Sequence, residues 1–216
     1  MKYLCAGLSK TGTTSVTDAF KLLGFSAIHF DIERMAPFLL HGEELDCSIY
    51  DDIDFVSDLP TAYFYKEFIG HNPDLKIILT VRDLDDWWQS IQTHFAARGV
   101  DNNYKCRIGH VLNVLGLKNN RLSKRYRERL IKIAIRLRVY KGLEPEEKSF
   151  KAAYLEHNQA VMDFVGKENL LILDINDDQK WEKICGFVGT KPPESPFPHS
   201  NKAVVRKLRT QPSALS

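Results

Sequence analysis

YLCAGLSKTGTTSV, residues 3–16, joins a short apolar run to a turn that holds two glycines and a cluster of hydroxyl side chains. Gly7 and Gly12 have the spacing of a phosphate-binding loop of the form G-x-x-x-x-G-K-S/T. Thr13 stands where that loop has its lysine, and the lysine here is Lys10, two residues before the second glycine. Successive amides and a following helix N-terminus would still favour an anion. The alternative is a strand-to-helix turn that is capped by hydroxyl side chains.

Strand and helix signals alternate along the rest of the chain, which predicts an α/β fold with a central parallel sheet flanked by helices in three layers. Residues 75–81 are the most strand-like run, because they are apolar on both faces, as a buried parallel strand is. Further strands are predicted at 3–6, 26–30 and 170–173, and helices at 16–23, 83–95, 122–140, 146–165 and 178–188. Four prolines between 192 and 198 predict an irregular segment.

The composition of the chain limits the classes of protein to consider. Its 216 residues, 44% hydrophobic and 27% charged, exclude disorder as the dominant state and suit one domain. We expect that domain over 1–202, with a helical insertion at about 100–145 and a flexible tail at 203–216. A net charge of +2 gives no general affinity for nucleic acid or anionic membrane. Without a leader or a membrane-length apolar run, a cytoplasmic protein is expected.

Two stretches together resemble the motifs of sulfotransferases that use 3′-phosphoadenosine 5′-phosphosulfate (PAPS). GLSKTGTTSV, residues 7–16, is similar to their 5′-phosphosulfate loop. In VRDLDDWWQS, residues 81–90, Arg82 follows the best strand and Ser90 lies eight residues later, the spacing with which this family holds the 3′-phosphate. At 3.6 residues per turn, both side chains can face one edge of the sheet. The resemblance implies a P-loop-type domain that transfers a sulfuryl group in line to a hydroxyl or amine.

A third stretch extends the resemblance to residue 201. KWEKICGFVGTKPPESPFPHSN, residues 180–201, is similar to the W-x-x-L-C-x-F-L-G…P-F-P-x-x-N ending of a branch of small sulfotransferases. The residues themselves predict an amphipathic helix followed by a proline-rich strap across the surface. The buried face of that helix is predicted to consist of Trp181, Ile184, Cys185 and Val188.

The resemblance also implies roles for individual residues. The cofactor-binding residues would be Lys10, Thr11, Gly12, Thr13, Thr14 and Ser15 on the 5′ side, with Arg82 and Ser90 on the 3′-phosphate. Lys10 would stabilise the negative charge that develops on the leaving bridge oxygen. Because PAPS pairs one phosphate with one sulfate, it carries fewer charges at the 5′ end than a triphosphate, and no metal is expected. The nucleotide product would be 3′,5′-adenosine bisphosphate (PAP).

The candidate general base differs from the histidine that many family members have. In FVSDLP, residues 55–60, Asp58 takes the place of the histidine of a K-T-H-L-P run, and Val56 takes the place of its lysine. A carboxylate can also remove the proton of an acceptor, so Asp58 is the predicted base. The alternative is that Asp58 caps the helix that follows. His29 and Asp31, after the second predicted strand, are candidates for acceptor binding.

A strongly basic segment bears on the acceptor. Between Lys118 and Lys141, ten basic residues accompany one acidic residue, Glu128, and apolar residues three or four apart predict a docked helix. The predicted apolar stripe is Leu122, Tyr126, Leu130, Ile133, Leu137 and Tyr140, and the basic row beside it is Arg121, Arg125, Arg129, Lys132 and Arg136. That row is either a solvated face or a lid or wall that attracts an anionic acceptor or the cofactor itself. We expect a small-molecule or glycan-type acceptor and no nucleic acid, because no aromatic residues interleave the basic row.

Two other functions remain as alternatives. The first is a nucleotide kinase or hydrolase with an aberrant loop, for which Asp174 at the end of LLILD would bind magnesium. The threonine at position 13 counts against it, since a lysine grips the triphosphate in those proteins. The second is a protein that binds nucleotide or a partner without turnover, which Val56 in place of the family lysine favours.

Overall fold

The computed structural model describes residues 1–97 and 124–199. Within these residues, five strands alternate with seven α-helices. The strands are β1 Tyr3–Cys5, β2 Ala27–His29, β3 Phe55–Ser57, β4 Lys76–Val81 and β5 Leu170–Asp174. The helices are α1 Thr13–Leu22, α2 Ala36–His41, α3 Tyr65–His71, α4 Leu84–Ala97, α5 Lys124–Tyr140, α6 Glu147–Phe164 and α7 Lys180–Val188. Short 3₁₀ helices lie at Cys47–Tyr50, Thr61–Phe64 and Lys167–Asn169.

All five strands are parallel and form one sheet in the order β2-β3-β1-β4-β5. Tyr3 of the central strand lies opposite Phe55 on one side and Lys76 on the other. Because the strands are parallel, their carboxyl ends meet at one edge, where α/β proteins of this type bind ligands. The predicted α/β class with a central parallel sheet is confirmed.

Side chains of successive strand residues enter two different cores, as the pleat of a strand requires. Cys5 and Ile78 point to the layer that contains Phe20 of α1 and Ile184 of α7. Their strand neighbours enter the opposite layer, which contains Phe68 of α3 and Val161 of α6. A third cluster joins α4, α5 and α6 through residues that include Trp87, Ile135 and Phe150. The sheet is therefore the middle of three layers.

The predicted elements agree with the structure at most positions, and three were missed. The four predicted strands and the helices at 16–23, 83–95, 146–165 and 178–188 are present, with ends that differ by up to three residues. The sequence analysis did not predict β3, α2 or α3. β3 lies between Asp54 and Asp58, a residue type that strands disfavour, and α2 and α3 have only six and seven residues.

The buried face of α5 is not the predicted apolar stripe, because it is rotated about the helix axis relative to it. Ile131, Ile135 and Val139 are buried at a spacing of four, whereas Leu137 is 47% exposed. Among the predicted stripe residues, Leu130 and Ile133 are half-buried and Tyr140 is buried, while Leu122 and the side chain of Tyr126 fall outside the described part. Basic residues of α5 also take part in the packing, because their charged ends lie over aromatic rings. Lys132 lies over Phe30 at 5.7 Å, Arg136 over Phe95 at 4.3 Å and Arg138 over Phe64 at 5.4 Å.

The irregular segment that the prolines predict is confirmed over residues 190–199. The predicted tail at 203–216 and much of the predicted insertion at 100–145 lie outside the described residues. In the two described ranges, no helix combines the length and the apolar composition that crossing a bilayer requires.

Candidate active site

A cavity of about 620 Å³ opens at the carboxyl edge of the sheet. All five strands contribute to its wall, either with residues near their carboxyl ends or with the residues that follow them. The lining residues are Ser9, Lys10, Thr11, Gly12, Thr13, Thr14, Ser15, Val16, His29, Phe30, Asp58, Thr80, Arg82, Ser90, His94, Leu173, Ile175, Lys180, Phe197, Pro198 and His199. The glycine loop, Arg82, Ser90, Asp58 and His29 are thus brought together as the sequence predicts.

The N-terminus of α1 faces this cavity without a cap. Gly12 is the N-cap residue with a φ of 90°, it makes no side-chain cap hydrogen bond, and the first turn has no acidic residue. No hydroxyl side chain therefore caps this helix from the N-cap position. Lys10 also has a left-handed backbone, with a φ of 77°. Uncapped amides at a helix N-terminus carry partial positive charge, so this loop is suited to hold an anion.

Gly7 allows the loop to lie directly against β4. A Cβ atom at this position would be 1.8 Å from Thr80 Oγ1 and 2.7 Å from the Thr80 carbonyl oxygen. The Thr11 hydroxyl bonds to the same Thr80 hydroxyl at 2.6 Å and to the Leu8 carbonyl at 2.7 Å. The first glycine of the motif therefore serves loop packing, and the second serves the left-handed turn into α1.

Two side chains that the sequence analysis missed hold the loop from behind. Trp87 Nε1 donates a hydrogen bond to the Ser9 carbonyl at 3.0 Å. His157 Nε2 donates to the Ala6 carbonyl at 2.7 Å. Burial lowers the pKa of His157, so this imidazole is held neutral. These partners are 78 and 151 residues apart in sequence, and no local pattern indicates such contacts.

Arg82 is fixed by its backbone while its side chain reaches the cavity. The Tyr154 hydroxyl donates to the Arg82 carbonyl and accepts from the Arg82 amide, both at 2.9 Å. The Tyr154 ring stacks on Trp87 with centroids 4.5 Å apart. Arg82 Nε is buried and has no hydrogen-bond partner among residues 1–97 and 124–199. Ser90 lines the same cavity, so the spacing of eight residues does bring both groups to one site.

The Asp58 carboxylate is directed into the loop. The residue is 7% exposed, and its Oδ1 accepts from Ser9 Oγ at 2.5 Å and from the Leu59 amide at 2.7 Å. Its Oδ2 lies 3.4 Å from Thr13 Oγ1. The 3₁₀ helix Thr61–Phe64 has no side-chain cap, so the capping alternative is wrong for this carboxylate.

The two candidates for acceptor binding have different surroundings. His29 lines the cavity, with Nε2 3.2 Å from Thr14 Oγ1 and 3.4 Å from Asp58 Oδ2. Asp31 is not among the lining residues. Its Oδ1 accepts from the backbone amides of Glu33 and Arg34, both at 3.2 Å, so it stabilises a local turn.

Strained backbone is concentrated at the cavity. Among the described residues, four that are not glycine have a positive φ, and three of them, Lys10, Phe30 and Asp58, line this site. Their φ values are 77°, 55° and 69°. Such conformations cost free energy and persist where the surrounding structure enforces them, frequently at functional sites.

A metal site has little support in the described residues. No group of three or more histidine, cysteine, aspartate or glutamate side chains there could hold an ion. Asp174, the carboxylate that a kinase would need, is exposed and does not line the cavity. Its Oδ1 accepts from the Asn176 amide at 2.8 Å.

The proline-rich strap contributes Phe197, Pro198 and His199 to the cavity wall. Trp181 Nε1 donates to the Ser195 carbonyl at 2.9 Å, and its ring packs against Phe197 with centroids 5.1 Å apart. Trp181, Ile184 and Cys185 are buried and Val188 is half-buried, so the predicted inner face of α7 is confirmed. The packing of Trp181 positions Phe197 at the cavity.

Comparison with known proteins agrees with these observations. The sequence profile of a family described as "Sulfotransferase domain" matches residues 2–205. "Ava biosynthesis cluster protein M" of Aspergillus versicolor is 28% identical over 221 residues, covering 92% of this chain and 80% of that protein. The crystal structure of a sulfotransferase from Alicyclobacillus acidocaldarius has a TM-score of 0.50 at 17% identity, covering 90% of this chain and 83% of that one, a likeness of fold. Because the family profile spans nearly the whole sequence, the chain belongs to the sulfotransferase domain family.

Proposed function

We propose that this protein transfers a sulfuryl group from PAPS to a hydroxyl or amine of a small-molecule or glycan-type acceptor. The observation that carries the proposal is the presence of two anion-binding elements in one cavity. One is the uncapped N-terminus of α1, and the other is Arg82 with Ser90. A nucleotide with anionic groups at both its 5′ and 3′ positions matches two such elements, whereas a nucleoside triphosphate presents its charge as one chain.

The residues present fit PAPS. Arg82 Nε is a buried donor without a partner in the described chain, which a 3′-phosphate oxygen would satisfy. The N-terminus of α1, with glycine at its N-cap and no acidic residue in its first turn, can receive the 5′ end. The cavity of about 620 Å³ has the size of sites for ligands of this class. When bound, PAPS would supply an activated sulfuryl group next to a phosphate leaving group.

The proposed roles of the side chains follow from their places in the cavity. Lys10 lies in the loop, where its ammonium would stabilise the negative charge on the bridge oxygen. The hydroxyls of Thr14 and Ser15, with the first-turn amides, would orient the 5′ group. Asp58 is the one carboxylate among the described lining residues, and it would remove the acceptor's proton as general base.

The domain organisation, the metal requirement and the acceptor class are also part of the proposal. We infer a single domain over residues 1–202 and a reaction that requires no metal. The relative from Aspergillus versicolor carries the name of a biosynthesis cluster, which supports a small-molecule acceptor here. The basic residues of α5 that lie over Phe30 and Phe95 support an acceptor with negative charge.

Isothermal titration calorimetry with PAP, ADP and ATP, each with and without magnesium, tests this function. We expect PAP to bind most tightly, without a metal requirement, because only PAP presents a 3′-phosphate to Arg82. The matched variants are Arg82→Gln, which should abolish the preference for PAP over ADP, and Arg34→Gln, outside the cavity, which should keep it. A preference for magnesium-ATP would contradict the proposal.

A further inference from the structure

We infer that His29 is the final acceptor of the proton that leaves the sulfuryl acceptor, with Asp58 as the group through which the proton reaches it. The inference rests on the proposed function and deepens it, because it assigns a second residue to the base site. It comes from a chain of buried hydrogen bonds that determines which nitrogen of His29 carries a hydrogen.

The chain begins at Thr17, which is fully buried, as is Ser57. The Thr17 hydroxyl donates its one hydrogen to the Thr13 carbonyl at 2.9 Å, since a carbonyl can only accept. Thr17 Oγ1 is also 2.6 Å from Ser57 Oγ. Because the Thr17 hydrogen is already used, Ser57 must be the donor in that second bond.

The hydrogen-bond chain continues from Ser57 to the imidazole of His29. Ser57 Oγ lies 3.0 Å from His29 Nδ1, and its hydrogen is committed to Thr17. Ser57 can therefore only accept here, so His29 Nδ1 carries the hydrogen. A neutral imidazole carries one hydrogen on its two nitrogens. Nε2 therefore has a lone pair that can accept a hydrogen bond or a proton. His29 is thus fixed as a base whose accepting nitrogen faces the site.

The accepting nitrogen lies where a new positive charge would be stabilised. His29 Nε2 is 3.4 Å from Asp58 Oδ2, and Thr14 Oγ1 at 3.2 Å can donate to the lone pair in the resting state. A proton taken up at Asp58 is within reach of this nitrogen, and once it is on Nε2 the restored carboxylate is its counter-ion. The other ionisable residues that line the cavity are Lys10, Arg82, His94, Lys180 and His199.

In the transfer step, the O–H or N–H bond of the acceptor breaks as the acceptor's oxygen or nitrogen forms the new bond to sulfur. The electron pair of the broken sulfur–oxygen bond leaves with the bridge oxygen of the phosphate, next to Lys10. The proton ends on His29 Nε2 and returns to solvent through the open cavity after the product leaves.

His29→Asn tests the role, because an asparagine amide can replace the Nδ1 donor to Ser57 but has no group at the Nε2 position. We expect kcat to fall about 100-fold, within the range for loss of a general base, with PAP affinity changed less than twofold. The control is His71→Asn, whose imidazole lies at the same 3.4 Å from an aspartate, Asp51, but outside the cavity, and it should keep full activity.

Nuclear magnetic resonance of the ¹⁵N-labelled wild-type protein tests the tautomer without any donor or variant. At pH 8.5, we expect His29 to carry its hydrogen on Nδ1. A hydrogen on Nε2, or on both nitrogens, would overturn the inference, as would a His29→Asn variant with an unchanged kcat. Failure of the proposed function is a separate result, since the wild-type protein would then not bind PAP in calorimetry.

Discussion

Thr13 occupies the position that a triphosphate-binding loop gives to its lysine. Its side chain is buried, and its hydroxyl lies 3.4 Å from Asp58 Oδ2. The position therefore helps to hold the carboxylate that we propose as the base, and a lysine there would place a charged group in a buried space. Lys10, on the left-handed turn before Gly12, lines the cavity instead. The threonine at position 13 therefore leaves room for the Asp58 carboxylate, and the lysine of the loop lies at position 10 instead.

His157 provides a prediction about stability and pH. Its pKa is lowered by burial, so between its ordinary value near 6.5 and that lower value the unfolded chain binds a proton that the folded protein does not. Stability is therefore fully present above about pH 6.5 and falls as the pH falls, by at most about 1.4 kcal/mol per pH unit from this group. In His157→Gln, the amide can still donate to the Ala6 carbonyl and does not titrate. Urea unfolding from pH 7.5 to 5 should show a shallower loss of stability in the variant.

The comparison between the two proteins isolates this one group. The other six histidines are the same in both, so their titration cancels in the difference between the two unfolding curves. His157→Ala serves as a second variant, which loses the hydrogen bond and should be less stable than His157→Gln at every pH. Parallel pH dependences for the wild-type protein and His157→Gln would contradict the assignment of the acid-labile term to His157.

At the scale of elements, α6 connects the two halves of the site. Tyr154 and His157 are three residues apart and so lie on one face of the helix. Tyr154 holds the Arg82 backbone, and His157 holds the carbonyl of Ala6 just before the glycine loop. One helix thus holds both elements that we propose to bind anions, although α6 itself contributes no residue to the cavity wall that the structure describes.

Tyr154→Phe should weaken the 3′ side of the site selectively. The variant keeps the ring that stacks on Trp87 but loses the hydroxyl that bonds both backbone groups of Arg82. We expect PAP affinity to fall by about 1–2 kcal/mol, roughly 5- to 30-fold, because Arg82 is less well positioned. Affinity for AMP, which lacks the 3′-phosphate, should change less than twofold in the same calorimetric titrations.

The matched control for this substitution is Tyr65→Phe. The Tyr65 hydroxyl is buried without a hydrogen-bond partner among the described residues, and Tyr65 does not line the cavity. Its removal should leave both affinities unchanged and stability equal or higher, since no hydrogen bond is lost. Equal losses of PAP and AMP affinity in Tyr154→Phe would show that the hydroxyl supports the whole site and not the Arg82 side.

The elements that could be predicted from sequence are those with a long local signal. β4 and its neighbours appear as apolar runs, and α1, α4 and α7 have clear periodicities. β3 shows neither signal, because aspartates, which strands disfavour, lie directly on both sides of it. The rotation of α5 was predicted wrongly because apolar spacing fits two faces of that helix, and the burial of Ile131 and Ile135 depends on contacts with the α4 and α6 cluster. Such contacts decide between the two faces, and they are not encoded locally.

At the scale of the whole molecule, the site combines segments from both ends of the chain. The glycine loop and the Arg82–Ser90 pair could be predicted because each is a local motif of known spacing. Trp87, Tyr154 and His157 could not, since each acts through a hydrogen bond that spans more than 70 residues. Asp31 was grouped with His29 by adjacency, but the chain turns between them and only His29 lines the cavity.

Because the cavity wall includes residues near position 10 and residues near position 198, a ligand that fills it should stabilise the whole fold. PAP at 100 times its dissociation constant adds about 2.7 kcal/mol to the free energy of unfolding if it binds only the folded protein. For a chain of this size, that corresponds to a rise in Tm of about 5–11 °C. Differential scanning calorimetry should show this rise as one cooperative transition.

Two variants, Arg82→Gln and Arg34→Gln, are compared with the wild-type protein in this thermal experiment. Arg82→Gln should lose most of the rise at the same PAP concentration, because its Nε donor is the buried group that we expect the 3′-phosphate to satisfy. Arg34→Gln lies outside the cavity and should keep the rise, although its own Tm should be slightly lower for loss of the ion pair with Asp52. An unchanged Tm with PAP in the wild-type protein, or two separate transitions, would contradict a single ligand-linked domain built around this cavity.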